Sequence, residues 1–215
     1  MFGFYRTFLA LIVVVHHLMD VPVIGHYAVH GFFILSGYLM TFVMTKSYGY
    51  TIYGGAAFFK NRILRLYPSY WILFLFSIVI INVFGEEASA SYRKFIYFPD
   101  TYSTLIQNLT MVYLDLFPGR VTPRVSPPTW ALTVELFFYF LIALGISKNK
   151  GVTIFWVSIS LFYMIGTHLL NLGYSLRYSF LFAGSFPFSL GALLFHYKAS
   201  VSQVIMSTSP LMRQC

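Results

Sequence analysis

The chain has 215 residues, of which 58% are hydrophobic, 20% aromatic and only 9% charged, with a mean hydropathy of +0.74. A soluble domain carries roughly a quarter charged residues, so this composition excludes a water-soluble protein and predicts an all-α, polytopic helical bundle in a lipid bilayer. The net charge of +8 comes from basic residues that lie between apolar spans and form no stripe, which excludes nucleic acid as a partner and leaves membrane topology as their explanation. Cys215 is the single cysteine, so neither an intrachain disulfide nor a thiol-ligated metal site is expected.

Six transmembrane helices are predicted, over Phe4–Met19, Ala28–Thr45, Tyr70–Phe84, Trp130–Ile146, Val152–Leu170 and Tyr178–Tyr197. The first, FYRTFLALIVVVHHLM, has the charge and apolar run of a signal peptide. His16, His17 and Asp20 follow it, however, without a small-x-small cleavage site, and it reads as a retained helix. Arg6 and His17 share one face of that helix, about 20° apart after three turns and separated by ~16 Å along the axis. Two such side chains on one membrane helix are costly, which makes them functional candidates. His17, or its neighbour His16, can serve as general base toward a hydroxyl, and Arg6 can hold a phosphate or carboxylate. The plainer alternative is that Arg6 anchors the helix at the inner headgroups.

The second span contains HGFFILSGYLM, where Gly31, Ser36 and Gly37 have the spacing of close helix packing. The same gap admits a thin acyl chain, so Ser36 is a candidate substrate-binding position. No G-x-S-x-G element makes it a nucleophile. His26 and His30 lie at the outer end, where His30 is a candidate to line an acceptor site. After this span, FFKNRILRLYPSYW carries Lys60, Arg62 and Arg65, with Arg62 and Arg65 at i, i+3, a spacing that can grip adjacent phosphates if the segment is helical. Anchoring to the inner headgroups is the competing explanation.

The long loop from Gly85 to Thr129 is rich in Tyr, Ser, Thr and Pro, and its charges balance. Within it, Tyr102–Leu116 is too polar to span and is expected to lie at the interface as an amphipathic helix. Pro123, Pro127 and Pro128 should end any helix before Trp130. Glu135 then enters the fourth span, where a carboxylate needs an Arg or His partner or a wet cavity. Trp130 at the edge of that span is an interfacial anchor and a candidate substrate contact.

Nine of the fourteen basic residues (Arg6, Lys46, Lys60, Arg62, Arg65, Lys148, Lys150, Lys198 and Arg213) fall on one side of this scheme. That side is expected to be cytoplasmic, with both termini inside. Residues 201–215 read as a short polar tail after a membrane domain over 1–200. No zinc-helix spacing and no Walker-type loop is present, so no metal site is expected.

Four elements in order resemble the bacterial membrane acyltransferase family 3, the O-acetyltransferases of O-antigen, exopolysaccharide and peptidoglycan sugars. They are the Arg, ten residues, His pattern at Arg6–His17; FF-x-x-SG-[FY]-L at Phe32–Leu39; Arg-x-x-Arg followed by Tyr-Pro at Arg62–Pro68; and W-[SA]-L-x-x-E at Trp130–Glu135. The resemblance implies an acyl-CoA donor, acetyl-CoA by the family expectation, as co-substrate from the cytoplasm. It implies a cell-surface polysaccharide, lipopolysaccharide or lipid-linked sugar as acceptor, and residence in the bacterial inner membrane. Lys60, Arg62 and Arg65 would bind CoA phosphates, His17 would deprotonate the sugar hydroxyl, and Arg6 and Glu135 would complete the catalytic set. His16, His30, Ser36 and Trp130 would contact substrate. Family members usually have about ten spans, so the chain reads as a truncated copy, which could be an inactive fragment, in preference to a short variant whose site is completed by another chain or a second copy. A transporter or export component, with Arg, His and Glu lining a path, is the alternative of a different class.

Overall fold

Backbone groups in lipid must be satisfied within their own segment, which leaves helices as the solution for long apolar runs. The computed structural model describes residues 2–19, 21, 23–113, 115–126 and 129–208, and contains no strand among them. The helices are α1 (Phe2–Met19), α2 (Ile24–Val43), α3 (Ile52–Phe84), α4 (Glu86–Tyr92), α5 (Tyr102–Thr110), α6 (Thr129–Ala143), α7 (Lys150–Leu169), α8 (Tyr174–Arg177) and α9 (Ser185–Thr208). A π-turn at Met44–Tyr48 extends α2, and 3-10 turns occupy Pro118–Arg120 and Leu181–Gly184.

Three segments are long and apolar enough to cross a membrane by length and composition: Ile24–Tyr48, Ile52–Phe84 and Lys150–Leu169. Gly3–Met19 and Thr129–Ala143 are shorter apolar helices. The chain is an all-helical, multi-pass membrane protein. On α3, Trp71, Ile72, Leu73, Leu75 and Phe76 are all exposed, a surface suited to lipid and not to water.

Several expected boundaries move. The third span, expected from Tyr70, belongs to one 33-residue helix that begins at Ile52 and continues through Pro68. The basic FFKNRILRLYP segment is thus helical. Thr51 starts α3 by accepting a 3.0 Å bond from Gly54 N–H. The interfacial helix is shorter than expected, ending at Thr110, where Met111 takes a left-handed φ of 57°. The sixth expected span is α9, which starts at Ser185 instead of Tyr178 and runs through Thr208 into the stretch expected to be a polar tail. Asp20, Pro127, Pro128, Arg213 and Cys215 lie outside the described residues.

The bundle is organised by α2 and α6. Helix α2 packs on α9 and α1, α9 on α7, and α6 on α2 and α3. At Gly37 a Cβ would overlap the carbonyl of Phe188, and at Gly191 it would overlap that of Ile34, so α2 and α9 meet backbone to backbone. Behind this crossing, Phe33, Phe188, Phe138 and Trp156 form a column of near-parallel rings with successive centroids 5.0, 4.7 and 6.1 Å apart. Trp156 Nε1 donates to Ser185 Oγ at 2.8 Å, which ties α7 to α9. This core holds the α2–α6 interface on which the polar residues sit.

Candidate active site

Glu135 lies on α6 one turn before Tyr139, so both side chains occupy the same face. Across the interface, Ser36 of α2 donates from Oγ to Glu135 Oε1 at 2.6 Å. The Tyr139 hydroxyl donates to the same oxygen and lies 3.5 Å from Ser36 Oγ. Ser36 and Tyr139 are 2% and 3% exposed, so water does not compete for either hydroxyl. An ionised carboxylate can only accept, and the two hydroxyls supply the donors. Of the two expectations for Glu135, an Arg or His partner or a cavity, its hydrogen-bond partners are two neutral hydroxyls and its side chain lines a cavity.

These three residues line a cavity of about 220 Å³ together with Arg6, Arg62 and Arg65. Phe32, Met40 and Leu66 form its apolar wall. Arg6 arrives from α1, and Arg62 and Arg65 arrive one turn apart on the N-terminal half of α3. Three guanidinium charges against one carboxylate leave two positive charges in excess. Arg62 is only partly provided for: Nη1 is 3.6 Å from Met40 Sδ, the guanidinium lies 5.5 Å from the Phe58 ring centroid, and Nε is buried without a hydrogen-bond partner. An anion with several acceptor oxygens is the ligand chemistry this cavity fits. Lys60 is exposed and does not line it.

A second cluster stands at the other end of the same helices. His17 is exposed on the last turn of α1, and its ring centroid is 5.1 Å from that of His16. His16 Nδ1 lies 2.5 Å from the Val21 carbonyl oxygen, and its ring is 5.6 Å from His26. The Tyr174 hydroxyl is 2.7 Å from His26 Nε2. Tyr178 stands among His26, His30 and Trp130, with ring centroids 4.3, 5.7 and 5.1 Å away. Burial raises the pKa of Tyr178, and the neighbouring Tyr174 raises it further, so this phenol stays protonated in neutral solution.

The structure thus divides the sequence candidates into two groups. Arg6, Ser36, Arg62, Arg65 and Glu135 share the cavity, while His16, His17, His30 and Trp130 belong to the far cluster. Helix α1 carries Arg6 near one end and His16 and His17 at the other, with Arg6 and His17 ~16 Å apart along its axis, and α2 joins the two groups over the six residues from His30 to Ser36, ~9 Å. Sequence reasoning missed Tyr139, whose i, i+4 spacing from Glu135 was visible. It also missed Tyr174 and Tyr178, for which no local signal marks a contact with histidines so distant in the chain.

A larger cavity of about 600 Å³ lies between α3, α6 and the long loop that joins them, lined by Phe59, Ile63, Phe137, Phe140 and other apolar groups, with Asp115 as its charged residue. It offers no cation to an anionic ligand, and the smaller arginine cavity is the better candidate for chemistry.

The acyltransferase domain family matches residues 4–213, nearly the whole chain and both polar clusters. The chain belongs to the acyltransferase 3 family. It is 29% identical over 142 residues to the Bacillus subtilis protein named "Putative peptidoglycan O-acetyltransferase YrhL". That match covers 63% of this chain and 22% of the relative, so the chain spans about a fifth of the length of the family member it resembles. No solved structure matches the chain.

Proposed function

We propose that this acyltransferase-family chain carries the motif-bearing part of a membrane O-acyltransferase, which takes an acyl group, acetyl by family expectation, from acyl-CoA. The acceptor is a sugar hydroxyl of a cell-surface polysaccharide, of which peptidoglycan is the example named for the relative. The observation that carries this reading is the cavity where Arg6, Arg62 and Arg65 outnumber Glu135. At about 220 Å³ it is smaller than the ~300–1,000 Å³ typical of sites that enclose a whole drug-sized ligand. It suits one end of the donor, with the phosphates at the arginines and the thioester reaching toward the far cluster.

In the reaction, the sugar oxygen attacks the thioester carbonyl carbon while His17 takes the hydroxyl proton. The new C–O bond replaces the C–S bond, and the proton held by His17 passes to the departing CoA sulfur. His16, His30 and Trp130 hold the sugar, and Lys60 adds positive charge at the mouth where CoA enters. Six membrane spans with both termini in the cytoplasm, in a bacterial inner membrane, put the arginines on the donor side.

Binding of labelled acetyl-CoA to the purified protein, competed by CoA, tests the reading. Arg62→Ala should weaken it by about 10-fold or more, the loss expected for a charged hydrogen-bonding group. Wild-type affinity in that variant would remove the cavity from donor binding.

A further inference from the structure

A carboxylate beside arginine ordinarily forms a charge-assisted, often bidentate pair. Glu135 shares its cavity with three guanidinium groups, yet among the described residues it has no ion-pair partner. Its Oε1 is instead taken by Ser36 from α2 and by Tyr139 from its own helix. Both hydroxyls are buried, so neither has an alternative acceptor in water. In the same cavity lining, Arg62 Nε remains a buried donor with no acceptor. Leaving such a group unsatisfied is costly, and the one carboxylate that could relieve it is held elsewhere.

We propose that Ser36 and Tyr139 are positioning residues that hold Glu135 away from the arginines, keeping the guanidinium groups available for an incoming polyanion such as the phosphates of CoA. This rests on the cavity being the donor site. Without the two hydroxyls, the guanidinium groups are the donors left within the cavity, and Glu135 turns to them. The arriving anion must then compete with an internal carboxylate for the same fork of N–H groups.

The arrangement makes a prediction that a merely structural role does not. Ser36→Ala and Tyr139→Phe both preserve the packed volume, since each removes one hydroxyl. The double variant should bind CoA and inorganic pyrophosphate about 10-fold or more weakly than wild type. In a Glu135→Gln background, the same two substitutions should leave affinity for both probes within about 3-fold, because the competing charge is gone and the cycle closes without coupling. Wild-type affinity in the double variant overturns the proposal, as does a loss that persists in the Gln background. An experimental structure of the ligand-free double variant is the second arm: Glu135 should be paired with at least one of Arg6, Arg62 and Arg65. A Glu135 still unpaired there overturns the proposal whether or not CoA binds. Failure of the wild-type protein to bind either probe counts against the donor reading alone, since the structural arm judges the hydroxyl clamp independently.

Discussion

His17 and Arg6 lie at opposite ends of one helix face, and that separation gives them different tests. Arg6 lines the cavity, while His17 stands beside His16 at the far cluster. If His17 acts on the acceptor, His17→Ala should abolish acyl transfer and leave CoA affinity unchanged. A combined loss of affinity and turnover would instead put His17 in donor binding, and normal turnover would remove it from the mechanism. Single-turnover assays with labelled acetyl-CoA separate these outcomes. Arg6, Arg62 and Arg65 were legible in the sequence because a cation in or beside an apolar span needs a reason. The partner of Glu135 was not, because Ser36 lies 99 residues away and its spacing to Gly37 reads first as packing. Gly37 does pack, against the Phe188 backbone, while Ser36 one residue earlier faces the cavity.

At the scale of elements, α3 and the outer loop depart most from expectation, for separate physical reasons. Lys60, Arg62 and Arg65 lower the local hydropathy and Pro68 removes a helical donor, so the apolar signal begins only at Tyr70. Helix α3 continues regardless, because a proline costs one bond in a segment held by packing against α6. The long loop between α3 and α6 reads as one interfacial helix in an otherwise irregular stretch, and Asn108 organises it from a fully buried position. Its Nδ2 donates at 2.9 Å to the carbonyls of Thr104 and Pro123, and its Oδ1 accepts from Val125 N–H at 3.0 Å and from the Tyr113 hydroxyl at 3.2 Å. Tyr113 also lies 2.8 Å from Thr129 Oγ1, so the network reaches the first turn of α6, six residues before Glu135. Burial raises the Tyr113 pKa and keeps its hydroxyl a donor at neutral pH. Asn108→Ala should destabilise the protein by about 3 kcal/mol, since it strands several buried groups at once. A melting temperature lowered by several degrees in detergent checks this, and an unchanged one would show that the loop is held by other contacts.

For the molecule as a whole, hydropathy located the apolar segments and basic residues suggested their orientation, while the packing that joins them came from residues far apart in sequence. Gly37 meets Phe188, Gly191 meets Ile34, and the Phe33–Phe188–Phe138–Trp156 column links four helices that no periodicity pairs. The orientation of this bundle carries the donor assignment with it. The positive-inside rule applied to the nine basic residues on the side of Arg62 and Arg65 underlies the proposed function, in which the cavity faces a cytoplasmic acyl-CoA and the His–Tyr–Trp cluster faces out. Because Cys215 is the single cysteine, replacing it with serine gives a background in which each added thiol reports one site. Ser91 on α4 and Ser47 after α2 are both exposed, and the scheme puts them on opposite faces of the membrane. In intact spheroplasts a membrane-impermeant maleimide should label Ser91→Cys, whereas Ser47→Cys should react only after lysis. The reverse pattern would turn the arginine cavity toward the outside, where it could not meet a cytoplasmic donor.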